Sequence, residues 1–367
     1  MDFNLSDLQR MLLDSAERYI ADRYSLEHRR GLRQTTDGLD TEAWATFAEL
    51  GWLAILIPEE MGGLGGTMTD AAVLAGALGN RCVTEPFANS AILAVTILAG
   101  AARPAEDVLT RVGAGAARVA LAVAEPGRPL TKTHTAPVTL APSGTGFVLS
   151  GQKVMAFDAP CATHLIVTAQ GGNGLALVLV KADDPHVLQD AYPLLDGSRA
   201  ADICFDACPV PPDAILAEGE AAADLLSLAL DRGRVILSAQ AVGSMEAELE
   251  ICSAYLKERQ QFGQAIGKFQ ALQHIMADMF VATHQARSIL YHALSRIDAP
   301  EADRSRAVAL ARISIGEAGQ LVSRHAIQLH GGYGITDEYE VSHHYRRQMV
   351  LEKQYGDIDH FAGTIAD

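Results

Sequence analysis

Apolar residues recur three and four positions apart through residues 7–26, interleaved with charges, and Ala/Leu-rich stretches of the same texture continue to about residue 110. This pattern predicts helices. The segment IPEEMGGLGG interrupts it, because Pro58 and glycines 62, 63, 65 and 66 are costly inside a helix. It reads as an ordered loop, either a plain turn or a backbone brought close to a ligand. Between about 117 and 215 the texture changes to short β-rich runs, ARVALAVA, GFVLSGQKV, THLIVTA and LALVLVK, separated by Pro, Gly, Asp and Asn. From about 220 long helical patterns return, and Ala239, Val242, Met245, Leu249, Cys252 and Leu256 step at three and four to form one stripe for burial. Helices, strands, then helices predict an α+β chain with segregated elements: a helical domain over 1–115, a β domain over 116–220 and a helical domain over 221–367.

Composition narrows the class. The longest apolar runs, 51–57 and 91–102, are shorter than the roughly 20 residues of a membrane-spanning helix, so no membrane insertion is expected. The first ten residues, MDFNLSDLQR, lack the basic end and apolar run of a signal peptide, which predicts a cytoplasmic protein. A formal net charge of −16 over 367 residues disfavours nucleic acid, since phosphate binding needs a concentrated basic face. Five scattered cysteines, Cys82, Cys161, Cys204, Cys208 and Cys252, fit reduced thiols rather than a disulfide framework. Cys204 and Cys208 lie in a strand-like run without further ligands, so no metal site is expected there. His343, His344 and His360 are read as satisfied surface histidines rather than metal ligands.

Two segments carry candidate chemistry. In YLKERQQFGQAIGKFQALQHIMADM, residues 255–279, a helix is expected to end near Gly263 and another to follow. In QLHGGYGIT, residues 328–336, three glycines follow a helical run and permit close approach of a bulky ligand. Arg259 beside such a turn has the planar fork of donors that grips a pyrophosphate.

The set Arg259, Phe262, Gly263, Ile266, Gln270, Ala277, Asp278 and Met279, with Gln328, Gly331 and Gly332, is similar to the C-terminal signature of the acyl-CoA dehydrogenase family. The loop from Pro58 to Gly65 resembles that family's N-terminal signature, and the order of elements agrees across essentially the whole chain. The resemblance implies an N-terminal helical domain, a β-barrel-like middle domain and a C-terminal four-helix bundle, assembled as a tetramer. It also implies FAD, an acyl-CoA substrate converted to a trans-2-enoyl-CoA, and electron-transfer flavoprotein as acceptor. Carried over residue by residue, Arg259, Gln261, Phe262, Phe269, Gln270, Gln328, Leu329, His330, Gly331 and Gly332 fall where the family holds the adenosine pyrophosphate half of FAD, reaching across to a neighbouring subunit. Asp231, Arg234 and Gly356 fall near the acyl-CoA; for Asp231 and Arg234 an ordinary ion pair at i, i+3 is an equal reading.

The pattern breaks in three places. A TEPxAGSD motif at the flavin ring is here AEPGRPLT, with Ala124 at the threonine position. GxKxWITN is here Gly151 to Asp158, with Met155 for the tryptophan and Phe157 for the threonine, adding volume where the isoalloxazine would lie. The glutamate of the family's YEGT turn is missing from LEKQYGDID, and the alternative base in a D-x-E-R run is replaced by Gly233. Glu352, expected on the solvent side of a helix end, and Asp357, at the turn's threonine position, are the nearby acids. Retention of the residues offered to a neighbour's FAD, with loss of those serving the chain's own flavin and base, resembles the small subunit of pimeloyl-CoA-type dehydrogenases. The expected assembly is a heterotetramer with a homologous subunit; a homo-oligomer with an unusual base, or a scaffold without chemistry, are the alternatives.

Overall fold

A computed structural model describes residues 5–102, 105–127 and 138–366, which form two compact units. The first is drawn from Leu32–Thr67 and Thr84–Gly233. Its helices are α3 (Thr41–Glu49), α5 (Val95–Gly100), α6 (Glu106–Gly113) and the first part of α7 (Gly219–Glu258), with a π-helix over Phe87–Ala94. The second unit takes Met1–Gly31, Met68–Val83 and Arg234–Asp367. It holds α1 (Asp7–Arg23), α4 (Met68–Asn80), the rest of α7, α8 (Gln270–Arg296), α9 (Glu301–His330), α10 (Glu340–Lys353) and α11 (Ile358–Ala366), and most of α2 (Leu26–Leu32).

The β-rich runs of the first unit become β1 (Val119–Ala122), β2 (Thr139–Ser143), β3 (Gly146–Phe157), β4 (His164–Gly171), β5 (Gly174–Lys181), β6 (Val187–Pro193), β7 (Arg199–Val210) and β8 (Ile215–Glu218). They hydrogen-bond in the order β6-β7-β3-β2-β4-β5-β8, with β1 added parallel to β4. Because β2 also meets β4 in parallel, the middle domain is a mixed sheet. Leu149, Val167, Val178, Ile203 and Phe205 fill its apolar face, as alternating strands with one buried side require. At the centre, the fully buried ammonium of Lys153 lies 2.7 Å from Glu125 Oε1 and 2.7 Å from Thr168 Oγ1.

The glycine-rich loop folds onto itself. Gly63 donates to the Pro58 carbonyl and Gly65 to that of Ile57, and a Cβ at Gly63 would lie 2.0 Å from the Ile57 oxygen. Close backbone approach inside the loop therefore accounts for the need for glycine there. All five cysteines are free thiols, and the described residues contain no cluster of metal-ligating groups. No helix among them is long and apolar enough to cross a membrane.

In α7 the expected stripe is buried at Ala239, Val242, Met245, Cys252 and Leu256, with Leu249 half-buried. Burial extends further round the helix and encloses an acid, Glu248, whose two oxygens have no hydrogen-bond partner. Burial raises its carboxyl pKa well above the ordinary value of 4.5. A carboxyl whose folded pKa is raised binds its proton more tightly when folded, so it subtracts stability progressively as pH rises above the unfolded pKa. Glu248→Leu should therefore stabilise the chain by about 1–3 kcal/mol near neutral pH, the cost of an unsatisfied buried polar group. Chemical denaturation at a series of pH values should show the gain shrinking toward pH 4; a gain independent of pH would contradict the linkage.

Candidate active site

The expected helix break after α7 is a β-hairpin. Gln260–Gln261 (β9) pairs antiparallel with Gln264–Ala265 (β10), and Phe262 and Gly263 turn at φ +52° and +79°. Positive φ at both turn positions suits the twist of a two-residue hairpin, and glycine takes it without strain. The Phe262 ring is 90% exposed and meets Phe269 edge-on at 6.0 Å. Arg259, Gln261 and Gln270 are exposed, and among the described residues the Arg259 guanidinium has no partner.

The glycine turn leaves the same end of the helical bundle. Tyr255, in the last turn of α7, stacks on His330 at the end of α9 with ring centroids 4.2 Å apart, and Tyr339 packs on His330 at 4.9 Å. Gly331 has φ +61°, and a Cβ added at Gly331 or Gly332 would meet nothing within 4 Å. Gln328 is exposed here. Leu329 and His330 are turned inward instead: Leu329 is 6% exposed, and His330 is bonded to the Ala326 carbonyl at 2.8 Å and the Tyr339 hydroxyl at 3.2 Å. Arg259, Gln261, Phe262, Gln270 and Gln328 thus leave their side chains exposed, and the backbone at Gly331 and Gly332 is open, whereas Leu329 and His330 serve the bundle. This surface fits an ADP group, with donors for pyrophosphate and an aromatic face for a ring.

The segment in place of the YEGT turn is held by two arginines. Buried Arg312 of α9 donates through Nη2 to the carbonyls of Leu351, Glu352, Gln354 and Gly356 at 2.9, 2.9, 3.1 and 3.1 Å. Burial, with the nearby Arg234 charge, pushes its pKa down to about 10. Arg234 Nε donates to the Tyr355 carbonyl at 3.0 Å, and its guanidinium lies over the Phe361 ring, 5.0 Å from the centroid. Tyr355 and Gly356 have φ +57° and +116°. A Cβ at Gly356 would lie 2.7 Å from His360 Cδ2 and 2.9 Å from Phe361, so no larger residue fits.

Neither nearby acid is presented as a free base. Contrary to the sequence expectation, Glu352 is buried, 6% exposed, and accepts from the Ile358 amide at 2.9 Å at the start of α11. Its side chain lies against α9, where a Cβ at Gly316 would come within 3.3 Å of Glu352 Cγ. Asp357 accepts from the His360 amide at 2.9 Å and sits 3.1 Å from Lys353 Nζ. The His360 amide, then the Lys353 ammonium, hold its carboxyl below the usual range, which weakens it as a base. In the first unit Asp231 is buried, and a Cβ at Gly233 would come within 2.6 Å of the Leu93 side chain. Leu93 belongs to the π-helix, so that element fills the space into which a glutamate at 233 would project.

His343 and His344 are also corrected: they are 3% exposed core residues rather than surface ones. His343 Nε2 lies 3.0 Å from the Asp337 carbonyl, and His344 Nδ1 lies 2.8 Å from Ser244 Oγ and 3.2 Å from Cys82 Sγ. Burial, aided by Arg29, lowers their pKa values to about 4 and about 3, so both are neutral imidazoles.

On the sheet unit, Met155 stands at a bulge with φ +49° and is 46% exposed, its amide bonded to Asp202 at 2.9 Å. The Phe157 ring is buried, 6% exposed, and its carbonyl accepts from Asn89 of the π-helix at 3.4 Å. Ala124 accepts from the Val154 amide at 3.0 Å; residues 128–131 of AEPGRPLT lie outside the described residues. Sequence reasoning did not reach Arg312, Glu248 or the placement of His360, since each depends on which helices pack together.

A family model described as acyl-CoA dehydrogenase, N-terminal domain, matches residues 6–115, and one described as acyl-CoA dehydrogenase, C-terminal domain, matches 224–366. The chain belongs to the acyl-CoA dehydrogenase family. It is 27% identical to acryloyl-CoA reductase (NADH) of Anaerotignum propionicum over 96% of this chain and 92% of that protein. It is 28% identical to the probable acyl-CoA dehydrogenase YngJ of Bacillus subtilis (strain 168), over 96% of this chain and 95% of that one. Among solved structures, the Tcur3481-Tcur3483 steroid ACAD G363A variant matches with a TM-score of 0.88 and 27% identity, over 98% of this chain and 96% of that one.

Proposed function

We propose that this chain takes part in FAD-dependent α,β-dehydrogenation of an acyl-CoA as one subunit of an assembly with a homologous dehydrogenase, the two chains being unlike. The observation that carries this reading is an asymmetry. The surface suited to the ADP half of FAD is outward-facing at Arg259, Gln261, Phe262, Gln270 and Gln328, while the two places for a carboxylate base hold Gly233, where an added Cβ would come within 2.6 Å of Leu93, and Tyr355. A homologous partner is also favoured by the exposed apolar side chains Phe280 and Val281 on α8 and Leu321 on α9, which are 55%, 52% and 38% exposed. The steroid ACAD neighbour, whose description joins two proteins, supports two unlike subunits. On this reading the chain resembles the small subunit of pimeloyl-CoA-type enzymes, works in the cytoplasm, and passes electrons to electron-transfer flavoprotein.

FAD, when bound, supplies the hydride acceptor. Arg259 would hold the pyrophosphate through its forked donors, and the open backbone at Gly331 and Gly332 would let the nucleotide lie close. Arg234, fixed between Tyr355 and Phe361, positions the turn beside the acyl thioester.

The test is flavin counting. The chain alone should be colourless, and co-expressed with its homologous partner it should give a complex with fewer flavins than chains, measured by absorbance on mass-calibrated chromatography. One tightly held FAD per copy of the lone chain would overturn the two-subunit reading. In the complex, Arg259→Ala should weaken FAD binding by about 1.5–3 kcal/mol, the size of a charge-assisted contact. Titration of the apo-complex with FAD measures this; unchanged affinity would remove Arg259 from the site.

A further inference from the structure

A cavity of about 240 Å³ in the helical unit is closed in by the end of α1, by α2, by the residues that follow α4 and by the start of α10. None of the residues suited to the ADP group line it. Its charged lining is two guanidiniums, Arg29 and Arg81, against one carboxylate, Glu340, so the excess is positive in a chain whose net charge is −16. Burial comes first among the causes that lower the His344 pKa, and the charges of Arg29 and Arg81 follow. The positive field is therefore felt inside. His344 itself supplies a neutral donor: its Nδ1 lies 2.8 Å from Ser244 Oγ and 3.2 Å from Cys82 Sγ, and a hydroxyl and a thiol both donate to an imidazole nitrogen. That assigns the ring proton to Nε2, which has no hydrogen-bond partner among the described residues. The side chain is 3% exposed and lines the cavity, so this N–H is left for an occupant. Arg81 is loosely engaged as well, since its Nη1 is 3.6 Å from Glu340 Oε2, longer than a hydrogen bond.

We propose that this cavity binds a small oxyanion, a phosphate or carboxylate group held by the Arg81 guanidinium and the His344 Nε2–H within the positive field of Arg29. The planar fork of a guanidinium matches the paired oxygens of either group. An anion is selected over a neutral molecule because bonds assisted by charge are roughly twice as strong as neutral ones. The site shares no residue with the ADP surface, and its occupancy is independent of the acyl-CoA reading.

The test is isothermal titration of the full chain with inorganic phosphate, and separately with succinate, at constant ionic strength. Saturable binding with a Kd of about 1 mM or below is expected for at least one probe, and the tighter of the two identifies phosphate or carboxylate as the source. Arg81→Gln should raise that Kd by about 10- to 100-fold, the size of a charge-assisted contact. The Arg81 side chain is 46% exposed, so this variant is expected to fold. Glu340→Gln should act in the opposite direction and lower Kd by about two- to fivefold, because it removes the carboxylate that competes for Arg81. A merely structural disturbance would not improve binding. Arg259→Ala, on the ADP surface, should leave Kd within about twofold, as expected for an independent site. No saturable binding of either probe would overturn the site, as would a Kd unmoved in Arg81→Gln, a Kd raised in Glu340→Gln, or loss of binding in Arg259→Ala.

Discussion

Replacing Arg312 with methionine is expected to destabilise the protein by about 3–5 kcal/mol, the range for removing one partner of a buried charged network. The guanidinium binds four carbonyls of 351–356, and these have their partner in the interior rather than in water. Methionine fills similar volume without a donor, so the loss isolates hydrogen bonding from packing. Lysine should recover only part of the loss, because all four bonds leave one nitrogen, Nη2, which the rigid guanidinium holds in place and a flexible ammonium stem does not. Urea titration followed by far-UV circular dichroism gives the free energy. Hydrogen exchange should localise the loosening to α10 and α11; a loss under 1 kcal/mol would show that the turn is held by Arg234 and Phe361 instead.

A similar loss, about 3–5 kcal/mol, is expected for Lys153→Met in the middle sheet. The ammonium is fully buried against Glu125 and Thr168, and burial is the largest influence on it, lowering its pKa against the opposing pull of Glu125. Removing the lysine leaves the Glu125 carboxylate, itself only 10% exposed, beside an apolar chain. Lys153→Met combined with Glu125→Gln should therefore be more stable than Lys153→Met alone, since the second change removes the buried charge that had faced the ammonium. Thermal unfolding of both variants decides this; a double variant with the sum of the two single losses would mean the residues act independently.

The order of helices, sheet and helices was legible from periodicity, because a buried helix face and a half-buried strand impose different spacings of apolar residues. The family was legible from Arg259 to Met279 and from Gln328 to Gly332, where short-range motifs need specific residues at fixed spacing. Arg259, Gln261, Phe262, Gln270 and Gln328 are exposed, whereas Leu329 and His330, drawn from the same motifs, are buried in the bundle. The hairpin at 260–265 was not legible, since two residues per strand are too few to show alternation.

Absence of a carboxylate at Gly233 and Tyr355 could be read from sequence alone, but only the fold decided why none fits at 233: Leu93 of the π-helix fills the space. The same holds for charge. Glu352 looked exposed beside Lys353, and His343 and His344 looked like surface residues in a polar run, yet all three are buried because α10 packs into the bundle on several faces. Sequence determines which groups are available and at what local spacing. Which of them meet across distant segments, as Arg312 meets Gly356 over 44 positions, is set by long-range packing that no local pattern encodes.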